Sequence, residues 1–169
     1  TRTHGGIELV HGDQAGPEAI LARLHAHGAT RQFHPVYRRE HFGAARGLLQ
    51  GVPLDRFVCA VRRGEVAGVA ACWDQNSFRQ DVVTGYSTAL RMGRPLYNAW
   101  ARLRGGGRLP APGEPVSAVY AACVAAGEGD ATVFTSLVRA LLNAAHAAGK
   151  EFLLLGLAAN DPCAARARS

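Results

Sequence analysis

A short glycine and acid turn, Gly127 to Asp130, separates a long apolar run from a helical pattern. The first amides of a helix have no partner within the helix and lie at the positive end of its dipole, so such a turn can bind a phosphate group. The candidate donors are the backbone amides from Gly127 to Thr132. Glu128 and Asp130 have the wrong charge for that ligand, and a Gly-x-Gly sequence also occurs in ordinary turns. A purely structural turn is therefore the alternative.

Three side chains elsewhere are candidates for proton transfer. Tyr120 lies inside the apolar run, Asp74 follows a predicted strand, and His34 lies in a loop. Each of these residue types can act as a general acid or base when it lies close to the reacting atoms. Each also has a structural alternative, because a tyrosine can simply pack, an aspartate can cap a turn and a histidine can be solvated.

The loop around His34 is denser in aromatic and basic side chains than a plain connection requires. The residues concerned are Arg31, Phe33, His34, Tyr37 and His41. We interpret this loop as a candidate contact surface for a substrate. Packing is the alternative interpretation for Phe33 and Tyr37.

The elements around the glycine turn form a strand, a helix and a second strand. Residues 116–126 are apolar on both faces, which is typical of a strand covered on both sides of a sheet. Apolar residues then recur at helical spacing from Thr132, and Gly149 suits the left-handed position after a helix. The apolar run 152–159 predicts the second strand, and the residues from Asn160 predict a further helix start. Strands joined in this way are expected to be parallel.

The N-terminal part of the chain predicts one strand and two helices. Gly6 to His11 has the pattern of a strand, and Gly12 to Gln14 is expected to form a turn after it. Pro17 is expected to begin a helix that ends at about His27. A shorter second helix is expected after Pro35.

The middle of the chain predicts a hairpin followed by a helical insertion. Two apolar segments flank the tight turn Arg63 to Glu65, which predicts an antiparallel hairpin over residues 56–75. The pattern is helical from Phe78 to Arg104, and Pro95 is expected to split it into two helices. We therefore expect one domain, residues 1–169, with an insertion at about 78–114.

The composition is typical of a soluble cytoplasmic protein. The chain has 169 residues, of which 48% are hydrophobic, and this is enough for one buried core. Its cysteines, Cys59, Cys72, Cys123 and Cys163, lack paired spacing, which predicts reduced thiols and neither disulfides nor a metal site. No apolar run approaches about 18 residues, so no membrane partner is expected.

The net charge of +6 comes almost entirely from arginine. Five arginines concentrate in one region, at Arg91, Arg94, Arg102, Arg104 and Arg108. Such a region suits an anionic partner, with a solvated helix face as the alternative. Aromatic residues are only 7% of the chain and no recognition helix or RNA-binding signature is present, so nucleic acid is not the expected partner.

The order of elements resembles the GNAT superfamily of acyl-CoA N-acyltransferases. The residues that carry the resemblance are the hairpin FVCAVRRGEVAGVAACWD, the strand VYAACVAA and the segment FTSLVRALLNAAHAAGKEFLLLGLAAN. It extends from about Gly6 to the end and excludes residues 78–114. The resemblance implies an α/β (α+β) fold whose mixed sheet combines an antiparallel N-terminal hairpin with a parallel βαβ unit. It also implies acetyl-CoA or another acyl-CoA as cofactor, and acyl transfer to an amine of a small molecule or peptide.

The same resemblance implies three groups of site residues. A diverging strand would expose backbone groups to an extended pantetheine arm, and an amide near Tyr120 to Val124 would polarise the thioester carbonyl. The catalytic candidates are Tyr120, Asp74 and His34. The cofactor-binding candidates are Cys123, Val124, Ala125, Gly127, Gly129, Asp130, Ala131, Thr132 and Asn160. The acceptor-binding candidates are Arg31, Phe33, Tyr37 and Tyr86.

Departures from the superfamily pattern favour a second hypothesis. The turn is acidic at Glu128 and Asp130, and the position of the usual tyrosine falls at Ala167 or Arg168. The second hypothesis is a GNAT-like domain without turnover that serves as a binding or assembly module. A third, a small Rossmann-like nucleotide binder, has less support because the glycine turn lacks the full fingerprint and the hairpin is antiparallel.

The last predicted strand, residues 152–159, is apolar enough to need a neighbour on each edge. Residues 160–169 suffice for a short helix but not for another strand. We therefore expect a second copy of the chain, or residues outside this segment, to cover that edge. An N-terminal segment that folds back across it is the alternative.

Overall fold

The computed structural model describes residues 3–4, 6–29, 31–127, 129–158 and 161–164. In this part of the chain six strands form one sheet whose spatial order follows the chain order. The strands are Thr3–His4 (β1), Ile7–His11 (β2), Phe57–Arg62 (β3), Glu65–Trp73 (β4), Ala118–Ala126 (β5) and Phe152–Leu154 (β6). Neighbouring strands are antiparallel except β5 and β6, which are parallel. The predicted mixed sheet is confirmed.

Helices cover both faces of this sheet. They are Gly12–Ala15 (α1), Pro17–Gly28 (α2), Thr88–Arg104 (α3) and Ala131–Ala147 (α4). On one face α2 buries Ile20 and Leu24 against Phe57. On the other face α4 buries Leu137 and Leu141. Each of these side chains contributes about 2 kcal/mol by leaving water. Residues of β5 pack into both clusters, which explains why that strand is apolar on both faces.

The hairpin of β3 and β4 is confirmed, with Arg62 paired to Glu65 across the turn. The two turn residues have positive φ angles, 54° at Arg63 and 82° at Gly64. This is the geometry of a type I′ turn, whose twist matches that of the strands. Further along β4, a Cβ atom at Gly68 would collide with the side chain of Val133, so this glycine allows α4 to pack closely on the sheet.

The prediction for the insertion is wrong in two respects. The helix begins at Thr88, capped by Ser87, and not near Phe78. Residues before it are held by the return segment, where the amide of Val116 donates to the carbonyl of Asp81 at 2.8 Å. This long-range pairing competes with local helix formation.

The second error in the insertion is the predicted break at Pro95, which lies inside one uninterrupted helix. Proline removes the hydrogen bond to the carbonyl four residues earlier, at Arg91. Arg91 and Pro95 are both exposed. Water can therefore satisfy the carbonyl, and the helix continues.

Two other local predictions are corrected. The short helix predicted after Pro35 is reduced to a single 3-10 turn, Arg39–His41. The glycines that follow, Gly43, Gly47 and Gly51, all have positive φ angles, which interrupt a right-handed helix. The turn predicted at Gly12 is the short helix α1.

The last strand is shorter than predicted, because β6 ends at Leu154 and residues 155–158 are not in the sheet. The glycine loop after α3 packs against its start, where a Cβ atom at Gly107 would lie 2.6 Å from the carbonyl oxygen of Glu151. Coverage of the remaining edge by a second copy of the chain stays a prediction.

No helix in the described part of the chain is long and apolar enough to cross a membrane.

Candidate functional site

The strand β5 separates from β6 after the first three of its nine residues, and its remaining residues, 121–126, are called its open half here. The parallel pairing joins Ala118 to Phe152, Val119 to Leu153 and Tyr120 to Leu154. Beyond Tyr120, β5 continues to Ala126 beside β4. Within the described residues, no strand pairs with that second half on the β6 side. The backbone groups of residues 121–125 that point to this side are therefore available to an extended ligand, whereas the backbone of Ala126 is bonded by His27.

A β-bulge lies in the same half of β5. Ala122 is paired to Ala71, but the next pair joins Ala125 to Val69, so Cys123 and Val124 together face Ala70. Cys123 has a φ angle of 53°, a left-handed conformation that is unfavourable for a residue with a side chain. Strain of this kind is often found where a protein binds or transforms a ligand.

A cleft of about 270 Å³ opens beside this half of β5. Its lining combines residues of β5, the glycine turn, α2 and the C-terminal segment: Arg23, Ala26, His27, Arg31, Val124, Ala126, Gly127, Gly129, Phe134, Leu157, Asp161, Pro162 and Cys163. The cleft thus brings together four of the predicted site residues, which are Arg31, Val124, Gly127 and Gly129. Ala125 is buried in the core on the α2 face.

The N-terminus of α4 is already occupied by a side chain of the chain itself. The carboxylate of Asp130 accepts the amide of Val133 at 3.1 Å and caps the helix. The amide of Thr132 also faces this carboxylate and helps to lower its pKa. The amide of Ala131 donates to the carbonyl of Gly129 at 2.8 Å. Of the amides expected to bind a pyrophosphate, Gly127 to Thr132, those of Asp130 and Ala131 already donate within the turn, and that of Thr132 faces the Asp130 carboxylate.

Asp130 is neutralised by Arg62 at the end of β3, with an Oδ2 to Nη1 distance of 2.7 Å. Burial alone would raise the pKa of Asp130, but Arg62 and the helix amides outweigh it and lower the pKa below its usual value. The carboxylate is consequently ionised at neutral pH. The protein therefore supplies both the negative charge at the start of α4, on Asp130, and the positive charge that pairs with it, on Arg62.

One predicted loop residue, Tyr37, lies at the bulge, and a second, His34, packs against Tyr37. The hydroxyl of Tyr37 lies beside the Cys123 thiol. Burial and this thiol raise the pKa of Tyr37, and burial raises the pKa of Cys123 to about 11. The ring of His34 lies 5.7 Å from that of Tyr37, edge to face. Nδ1 of His34 donates to the carbonyl of Pro35 at 3.1 Å, which leaves Nε2 with the lone pair in the neutral ring.

Two residues of α2 extend this group and were not predicted. The ring of His27 lies 5.7 Å from that of His34, and Arg23 lies one turn earlier on the same side of the helix. Burial, and then the charge of Arg31, lower the pKa of His27, so its ring is neutral at pH 7. The Nε atom of Arg23 is buried and has no hydrogen-bond partner among the described residues. The only signal in the sequence that could have found them is the four-residue spacing of Arg23 and His27, which places both side chains on one side of α2, beside its apolar residues.

Tyr120 lies apart from this group, at the other end of β5. Its hydroxyl donates to the carboxylate of Asp81, and the guanidinium of Arg79 lies 5.5 Å from its ring centroid. The hydrogen bond to Asp81 is the main cause that raises the pKa of Tyr120. Tyr120 thereby attaches the start of the insertion to the sheet.

Asp74 is likewise engaged elsewhere, in an ion pair with Lys150 whose Oδ2 to Nζ distance is 2.6 Å. Burial alone would raise the pKa of Asp74, but the bonds from Lys150 and from the Asn76 amide lower it. A carboxylate with a lowered pKa is a weak base.

The other predicted acceptor residues are dispersed. Phe33 is 99% exposed with a φ angle of 58°. Tyr86 donates its hydroxyl to the carbonyl of Pro110 at 2.7 Å, within the insertion. Arg31 forms an ion pair with Asp161 at 3.0 Å beside the cleft. Asn160 lies outside the described residues.

Among the residues that the structure describes, no three histidine, cysteine or acidic side chains are grouped so as to hold a metal ion. Comparison of the chain with protein-family models, with curated proteins and with solved structures finds no match. The function must therefore be inferred from the open half of β5, its cleft and the side chains that converge on the bulge.

Proposed function

We propose that the chain is an acyl-CoA-dependent N-acyltransferase of GNAT type, which binds the acyl thioester beside the open half of β5. The observation that supports this most directly is the separation of β5 from β6 after Tyr120, on the segment that carries the bulge and borders the cleft. An extended arm that contains amide groups can pair with such an edge as another strand would. The pantetheine arm of acetyl-CoA has this character.

The anionic end of the cofactor is bound by arginine in this proposal, and not by the start of α4. Asp130 already satisfies the helix amides and would repel a phosphate. Arg23 and Arg31 line the same cleft, and a guanidinium binds phosphate through paired, charge-assisted hydrogen bonds. The buried and unpartnered Nε of Arg23 makes this residue the principal phosphate ligand.

The chemistry is a direct attack of the acceptor amine on the thioester carbonyl carbon. The C–N bond forms, the C–S bond breaks, and the nitrogen loses a proton to Nε2 of His34 or to His27. The departing thiolate takes a proton from the Tyr37 hydroxyl, which its raised pKa keeps protonated at neutral pH. A backbone amide at the bulge donates to the carbonyl oxygen as negative charge develops there.

Calorimetric titration with acetyl-CoA tests this proposal. We expect the wild-type chain to bind acetyl-CoA. Arg23→Gln should raise the Kd about tenfold, because it removes about one charge-assisted hydrogen bond. The matched control is Arg139→Gln, which changes an exposed arginine of α4 outside the cleft and should leave affinity unchanged. No heat with acetyl-CoA, together with no CoA released from the protein in native mass spectrometry, would contradict the proposal.

The second candidate is a GNAT-like binding or assembly module without turnover, which the capping of α4 by Asp130 favours. If that capping excludes CoA, Asp130→Asn should create or increase acetyl-CoA affinity, because it removes the negative charge while keeping a cap oxygen. Affinity that is absent in the wild type and appears in this variant would support the module. Acyl transfer by the wild-type chain would exclude it.

A further inference from the structure

Helix α3 carries an apolar stripe that faces away from the rest of the protein. Four large side chains are strongly exposed: Met92 by 74%, Leu96 by 78%, Trp100 by 54% and Leu103 by 86%. They recur at spacings of three, four and seven residues, which place them on one side of a helix. A stripe of this kind is unusual on a water-facing helix and indicates an interaction surface.

The opposite side of α3 packs against the segment that follows it in the chain. Ala101 is buried, and the side-chain amide of Asn98 bonds to Leu109 twice, accepting its N–H at 2.8 Å and donating to its carbonyl at 3.0 Å. Both ends of the helix are also defined, by Ser87 and by the left-handed Gly105. The outward direction of the stripe is therefore set by the fold.

The polar border of the stripe carries charge of one sign. Residues 82–113 contain five arginines and no lysine, aspartate or glutamate. On a helical projection Arg91 and Arg102 lie on one side of the stripe and Arg104 on the other. None of these three has an ion-pair partner within the described residues. A second copy that docked through the same helix would bring like charges together, which argues against self-association here.

We propose that α3 binds the surface of an anionic lipid membrane. The four apolar side chains enter the boundary between headgroups and acyl chains, while the arginines on both borders reach lipid phosphates. Trp100 belongs at that boundary because its ring is apolar and its N–H is polar. A flat anionic surface meets both borders of the stripe at once, whereas one acidic helix of a protein partner would meet a single border. The helix lies on the membrane and does not cross it.

Co-sedimentation with lipid vesicles tests this assignment. We expect the chain to pellet with vesicles that contain phosphatidylserine, and much less with vesicles of phosphatidylcholine alone. The triple variant Met92→Ser, Leu96→Ser, Leu103→Ser should reduce partitioning at least about tenfold, since most of the buried apolar area is lost. Leu48→Ser, a half-exposed leucine outside α3, is the matched control and should bind as the wild type does.

The fluorescence of Trp100 tests whether α3 is the surface that binds the vesicles. Its emission should shift to shorter wavelength on the anionic vesicles, and Trp100→Phe should abolish the shift, because the other tryptophan, Trp73, is held on the sheet by a bond to Gln50. Three outcomes would overturn the proposal: no pelleting at low salt, pelleting that the triple variant leaves intact, or pelleting without the Trp100 shift. Binding of α3 to an acidic amphipathic peptide, without binding to vesicles, would assign it to a protein partner instead.

Discussion

Asp130 and Arg62 form an ion pair at the start of α4, although they are 68 positions apart in the chain. The same carboxylate caps the helix through Val133. The glycine turn that the sequence predicts as an anion site therefore contains an anion of its own. Any external phosphate must compete with Asp130 or be held by Arg23 and Arg31.

The capping role of Asp130 predicts a loss of stability on substitution. Asp130→Ala should lower the free energy of unfolding by about 1 kcal/mol through the lost cap alone, and by more when the charge of Arg62 is left unpaired. Asp130→Asn should cost less because its side-chain oxygen can still accept the Val133 amide. Urea denaturation of both variants checks this order, and equal losses would show that the cap contributes little.

The lowered pKa of Asp130 predicts a dependence of stability on acid. Its ordinary value is 3.8, and the folded value lies below that. The stabilisation is complete above the unfolded pKa and is lost as the pH falls through the folded pKa. The free energy of unfolding of the wild type should therefore fall more steeply below pH 3.8 than that of Asp130→Asn. Parallel curves from urea titrations at successive pH values would contradict this.

The different positions of Tyr37 and Tyr120 predict different effects when each is replaced by phenylalanine. In the proposed mechanism Tyr37→Phe lowers kcat with little change in acetyl-CoA affinity, because its proton is needed only as the thiolate departs. Tyr120 was also predicted to be catalytic, but its hydroxyl is engaged by Asp81. We expect Tyr120→Phe to have the smaller effect on kcat and to speed amide exchange at residues 79–83. A larger kcat effect from Tyr120→Phe would reverse the two roles.

The buried thiol of Cys59 and the half-buried thiol of Cys123 should resist alkylation in the folded protein. Burial raises the pKa of Cys59 to about 12 and that of Cys123 to about 11, so very little thiolate is present at neutral pH. Iodoacetamide should label both far more slowly than in the urea-unfolded chain, as peptide mass spectrometry can measure. Rapid labelling of Cys123 in the folded state would show that the bulge opens.

The sequence by itself determined the elements whose signals are local. The hairpin of β3 and β4 follows from two apolar segments around Arg63 and Gly64, and α4 follows from its helical period. The left-handed position at Gly149 was likewise visible, because only a few residues decide it. The parallel β5 and β6 followed from the helix between them.

Only the tertiary structure decided the site. The point where β5 leaves β6, the bulge at Cys123 and the neighbourhood of Tyr37 and Cys123 depend on strands and loops distant in the chain. Helical periodicity predicts a helix that begins at Phe78. In the structure, pairing with the return segment holds Asp81 outside the helix, which begins only at Thr88. Periodicity reports which side of an element is apolar. It does not report which distant backbone group or charge that element will meet, and those contacts determine which residues lie together beside β5.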